Sequence, residues 1–223
     1  MPKPNSGGKR NKTAPAQKPK WTQKQGEHPD RNDELIDYLN NANTSSMSPE
    51  MAMSRTNPNF DVDSTYKQNC QRCVWAYELQ RRGYDVEALP TFQGDDLPRN
   101  GNWQMLDKNY YTNYKNRKYV GQQYGQTNSV KTEITNINEA MTDWGEGSRA
   151  ICRVVWKGGR SGHVFNVENI GGTVRAFDGQ TGKEIKLRDY LSKAQRGMTS
   201  LVRSDNVEMN MDEISKYVKL RGQ

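Results

Sequence analysis

The sequence predicts an α+β domain, with helices packed on an antiparallel sheet and a disordered basic tail ahead of them. Three observations carry this. "CQRCVWAYELQR" (70–81) places Val74, Trp75, Ala76, Tyr77 and Leu79 at helical spacing, with Gly83 where a C-terminal cap belongs. "VKTEITNINEAMTDW" repeats that spacing at Ile134, Ile137, Met141 and Trp144. Then "RAICRVVW", "GHVFNVENI" and "TVRAFDGQ" read as three strands, separated by "WKGGRSG" and by "NIGGTV", a hairpin turn.

The elements follow in order. Residues 1–26 are rich in Pro, Gly, Asn and Lys and show no apolar periodicity, so a disordered tail is expected over 1–30. "RNDELIDYLNNAN" predicts a short helix with Leu35, Ile36 and Leu39 on one face. Residues 44–64 read as a loop, because Ser, Pro and Asn cluster there. Residues 31–54 are thus expected to be a short helix and linker, and 55–223 the domain. "YDVEALP" alternates as a strand does, whereas 94–130 is polar and gives no assignment. After the three strands come a short helix at 187–194, a strand at 200–204 and a closing segment, "MDEISKYVKL".

The chain has 223 residues, 32% of them apolar, and a mean hydropathy of -1.08. No apolar run reaches the roughly 18 residues of a membrane span, and no apolar core follows the basic N-terminus as in a signal peptide. Synthesis in the cytoplasm without a secretory signal is therefore expected. The net charge is +7, and its excess sits in the tail. Of the 33 Lys and Arg, seven lie there (Lys3, Lys9, Arg10, Lys12, Lys18, Lys20 and Lys24), which leaves 26 against 26 acids. Such an arm attracts polyanions non-specifically and in a salt-dependent way. The neutral remainder does not read as a nucleic-acid module.

The chemistry centres on a cysteine and a histidine. Cys70 follows Asn69 at a helix start, where unpaired N–H groups and the helix dipole favour an anion. Cys73 lies one turn further in and is a rival nucleophile. A base is expected on another element, and of the two histidines only His163 lies in a segment with folding signals. A third group should orient its ring. Asp178, across the Gly171–Gly172 turn, is the candidate, with Gln180 on the same face if the strand continues. Asn69 or Gln68 is a candidate to help stabilise an oxyanion. Competing readings are a buried structural cysteine, a redox C-x-x-C pair, or zinc held by Cys70, Cys73, Cys152 and His163. The zinc set lacks a second paired motif, so no metal or organic cofactor is expected.

"NCQRCVWAYELQRRGYDVEALP" followed by "GHVFNVENIGGTVRAFDGQTG" resembles the papain-fold toxin domain of bacterial polymorphic toxin systems and phage-like elements, over roughly residues 62–205. The resemblance implies a papain-like fold with the cysteine at the start of a helix packed on an antiparallel sheet. It implies a triad of Cys70, His163 and Asp178, with Gln180 as helper. It also implies hydrolysis of protein amides, either as a glutamine deamidase or as a cysteine protease, and delivery by a phage-like particle or secretion system. In papain's own Cys-x-x-Cys-Trp-Ala-Phe stretch the second cysteine is catalytic. "CQRCVWAY" matches that stretch with one residue inserted, so Cys73 stays open beside Cys70. A non-catalytic cargo protein, tethered through its basic tail, is the reading from another class.

Overall fold

The computed structural model describes residues 32–92, 117–118, 129–159 and 161–222. The tail, and most of the unassigned 94–130 stretch, lie outside the described residues. A six-stranded antiparallel sheet forms the centre, in the order β2-β7-β3-β4-β5-β6. Its strands are β2 (Arg117–Lys118), β3 (Arg149–Val155), β4 (Gly162–Ile170), β5 (Thr173–Asp178), β6 (Lys183–Ile185) and β7 (Ser200–Arg203). A small second sheet pairs β1 (Val86–Ala88) with β8 (Val218–Leu220).

Side-chain alternation gives the large sheet two apolar faces. Ile151, Val164 and Val202 face helix α3 (Cys70–Arg81). Ala150, Cys152, Phe165, Val167 and Leu201 face the other way, against Ile137, Ala140 and Met141 of α4 (Val130–Trp144) and Leu191 of α5 (Leu187–Lys193). The sheet therefore lies between two helical layers. A short α6 (Met211–Ile214) precedes β8.

The apolar stripe expected on α3 proves too narrow. Every residue from Arg72 to Gln80 is buried. The reason is that α3 is enclosed by the sheet on one side and by α1 (Asp33–Asn41), α2 (Pro49–Thr56) and the β1–β8 pair on the others. Its buried Glu78 accepts hydrogen bonds from Arg82, Arg149 and Ser204. These bonds hold its carboxyl below the usual range against the opposing effect of burial. Tyr77 and Arg81 likewise donate to buried Glu168 on β4.

The segment 44–64, expected as a loop, contains α2. Ser48 caps it by accepting from the Met51 N–H, and Pro49 takes its first position. Leu35 and Leu39 of α1 and Ala52 of α2 enter the core, so the segment read as helix and linker packs into the domain. The strand β6 was not anticipated. Helix 187–194 and strand 200–204 appear within a residue of expectation.

Gly162 shows why a glycine precedes His163. A Cβ there would lie 2.5 Å from the backbone oxygen of Val154, on the neighbouring strand. Gly162→Ala is expected to cost about 1–3 kcal/mol through overpacking, read as a lowered midpoint in thermal or urea unfolding.

Candidate active site

Contacts along α3 set its register on β4. The side-chain amide of Asn166 donates to the Val74 carbonyl, and Tyr77 and Arg81 reach Glu168. The four residues from Val74 back to Cys70 span about 6 Å of helix, close to two strand residues at about 3.3 Å each. The start of α3 thus comes level with the start of β4, where His163 stands. The half-buried Cys70 thiol stands beside the His163 ring, close enough for its charge to act on the ring.

The Gly171–Gly172 turn sets the other half of the arrangement. Both glycines have positive φ, at 59° and 75°, and both N–H groups donate to the Glu146 carboxylate. The hairpin pairs Ile170 with Thr173 and Asn166 with Phe177. Extended by one pair, that register puts Phe165 opposite Asp178. His163 and Asp178 are therefore diagonal neighbours on one face, and His163 Nε2 lies 3.1 Å from Asp178 Oδ2. Nδ1 is then the ring nitrogen left for the thiol.

Asp178 is 1% exposed and receives two further hydrogen bonds. The Tyr190 hydroxyl donates to Oδ2 at 2.6 Å, and the Gln180 N–H to Oδ1 at 3.0 Å. Burial works against the Asp178 carboxylate, but these bonds and the His163 ring hold its pKa below the usual value. Burial also works against a charged His163. Its hydrogen bond to Asp178 and its interaction with Cys70, with their charges, outweigh that and push its pKa up to about 9. Tyr190 is pushed upward, by burial first and then by Asp178, so it stays protonated and donating. Trp156 stacks on the His163 ring at 6.0 Å and 15°, and Tyr190 tilts against it at 5.7 Å.

The Asp-Gly-Gln stretch is clamped to the start of α3. A Cβ on Gly179 would lie 2.9 Å from Thr56 Cγ2 and 3.4 Å from the Cys73 carbonyl oxygen. The strand ends at Asp178, so Gln180 turns inward rather than continuing on the same face. Its side chain donates to Asn69 Oδ1 at 3.4 Å, and its carbonyl accepts from Asn57 Nδ2 at 2.8 Å.

The remaining predicted residues separate clearly. Asn69 is 2% exposed and donates to Asn57 Oδ1 and the Leu89 carbonyl. Both amide hydrogens are thereby used, and none is left for an oxyanion. Gln68 is exposed beside the helix start. Asn69 makes no side-chain cap on α3. Its carbonyl accepts from the N–H of Arg72 and of Cys73, and the N–H groups of Cys70 and Gln71 have no acceptor among the described residues. Cys73 is 1% exposed, its thiol donates to Asn69 Oδ1 at 3.2 Å, and burial pushes its pKa well upward. Cys152 belongs to the apolar layer between the sheet and α4, whereas Cys73 stands on α3 in the layer on the other face. No group of three possible ligands that could hold a metal occurs among the described residues. No helix among them is long and apolar enough to cross a membrane.

The sequence pattern does not single out Tyr190, Trp156 or Asn57. Trp156 stood in the quoted "WKGGRSG" loop, and Tyr190 is spaced as the inner face of α5, three residues after Leu187. Asn57 gave no signal. An open cleft of about 510 Å³ runs along His163 and Asp178, walled by Trp156, Lys157, Tyr190 and Lys193.

The family model described as papain fold toxin 1, glutamine deamidase matches residues 68–183, a little more than half of the chain. No curated protein and no solved structure matches the chain. The matched stretch opens two residues before Cys70 and runs past Asp178, and the helices and antiparallel sheet suit a papain-like fold. The chain belongs to the papain-fold toxin, glutamine deamidase family.

Proposed function

We propose that this chain is a toxin that converts a glutamine of a target-cell protein to glutamate through a thioester on Cys70. The observation that carries the reading is the position of His163. A buried carboxylate, Asp178, holds Nε2 at 3.1 Å, and the Cys70 thiol acts on the same ring.

The thiol proton is held on His163 as an imidazolium, and the thiolate attacks the carboxamide carbon. The oxygen of the tetrahedral intermediate is received by the Cys70 and Gln71 N–H groups at the helix start. Collapse breaks the C–N bond as His163 gives its proton to the departing nitrogen, which leaves as ammonia. Water, deprotonated by His163, attacks the thioester, and the C–S bond breaks. Net, one amide and one water become one carboxylic acid and one ammonia. Asp178 fixes the ring's tautomer and stabilises its imidazolium. No step draws on a metal or an organic cofactor. Delivery into a target cell fits the family, and the basic tail is a candidate polyanion contact.

The test is exposure of target-cell proteins to wild-type and Cys70→Ala protein, followed by ammonia assay and peptide mass spectrometry. Glutamine-to-glutamate conversion with ammonia release, absent with Cys70→Ala, is expected. New chain termini without ammonia would make the enzyme a protease of the same fold. No change of either kind would leave a binding or cargo role.

Tyr190 serves as a positioning residue. Tyr190→Phe keeps the ring against His163 and removes the donor to Asp178. It is expected to lower kcat on the order of tenfold with KM little changed, the size of a lost hydrogen bond to a charged group. A rise in KM at constant kcat would make Tyr190 a substrate contact instead.

A further inference from the structure

We propose that the cleft beside His163 selects a glutamine flanked by acidic residues. This rests on the deamidase reading and adds the substrate class to it.

Two lysines stand on the cleft wall. Lys157 follows Trp156 in the loop after β3, and Lys193 ends α5. Both are exposed, and neither makes an ion pair among the described residues. Their backbones are stitched into one rim. The Lys157 N–H donates to the Lys193 carbonyl at 3.1 Å, the Gln195 N–H to the Val155 carbonyl at 2.7 Å, and Trp156 bridges Ala194. The two lysines thus rise from neighbouring positions on a pinned backbone.

The one carboxylate in the cleft wall, Asp178, is already engaged by His163, Tyr190 and the Gln180 N–H. It is buried, so it does not reach the rim to pair with either lysine. The cleft therefore presents aromatic wall from Trp156 and Tyr190, for the apolar stem of a glutamine, under a rim of net positive charge. An acidic neighbour of the glutamine gains two favourable charge contacts there, and a basic neighbour meets repulsion.

The probes are two synthetic peptides, each with one central glutamine in an Ala/Ser/Gly background. One carries Glu on both sides of the glutamine and the other Lys. With the full chain, kcat/KM from ammonia release is expected to be about three- to tenfold higher for the Glu peptide, the range for a pair of exposed contacts. The advantage should shrink as salt is added. Lys157→Glu with Lys193→Glu should cancel or reverse it, with an unchanged circular dichroism spectrum. Lys157→Gln with Lys193→Gln should fall between. The basic tail is common to all these proteins, so the difference between them reports the rim.

Equal kcat/KM for the two peptides, or a preference that survives the charge reversal, would overturn the proposal. Anisotropy of the labelled peptides with Cys70→Ala protein separates its failure from that of the deamidase reading. Tighter binding of the Glu peptide, with no ammonia from wild type, upholds the rim and overturns deamidation. Ammonia from both peptides at equal rates does the reverse.

Discussion

Cys70→Ala is expected to reduce amide hydrolysis on the order of 10⁴- to 10⁶-fold, the loss seen when a nucleophile is taken from an enzyme of this design. The fold should survive, because Cys70 is half-buried at a helix start and only borders the core. Cys73→Ser should stay within about tenfold of wild type, because a serine hydroxyl keeps a donor to Asn69 Oδ1. The contrast matters because both cysteines occupy the first turn of α3. Cys73 points into the core, where burial disfavours its thiolate, and Cys70 meets His163. Ammonia release beside circular dichroism measures both variants. An active Cys70→Ala with an inactive, folded Cys73→Ser would reverse the assignment.

Asp178→Asn is expected to lower kcat by about 10²–10⁴-fold, because it removes the charge that orients and stabilises the His163 imidazolium. A pH shift should accompany the loss. His163 is held up at about 9 by Asp178 and Cys70. Without the carboxylate its ring loses the proton at lower pH, so the high-pH fall in kcat/KM should move downward. Folding is linked to the same pair. A raised His163 stabilises the fold fully below its ordinary 6.5 and loses that as pH rises through about 9. A depressed Asp178 stabilises it above its ordinary 3.8 and loses that as pH falls through its lowered value. Asp189→Asn is the control, since Asp189 is exposed on α5. Near-full turnover by Asp178→Asn would remove Asp178 from the mechanism. Gln180 is then a poor substitute, because its side chain turns toward Asn69 rather than His163.

Where local signals were strong, they were legible. The Gly171–Gly172 turn and the alternation on both sides of it define a hairpin, and the hairpin alone brings His163 to Asp178. The end of α4 is local in the same way, with Gly145 after it. Helix α2 was missed although Ser48, Pro49 and Glu50 form a cap, a first-turn proline and a first-turn acid. The surrounding Ser and Asn masked the signal, and eight residues are too few for a clear apolar period. Strand β6 is only three residues long, and pairing with β5 creates it. Which cysteine faces His163 depends on which side of α3 meets the sheet. That is settled by Asn166, Tyr77, Arg81 and Glu168, all polar contacts between distant segments. Tyr190 and Asn57 act through such contacts too, and no window of sequence contains both partners.

In this mechanism the amide carbon becomes bonded to Cys70. Its most direct test is rapid acid quenching of the full chain with excess Glu-flanked glutamine peptide, followed by intact and fragment mass spectrometry. A transient adduct with the mass of the peptide less ammonia is expected, located on the fragment at Cys70 and absent from Cys70→Ala. Turnover with no adduct at any time, or an adduct on Cys73, would contradict it.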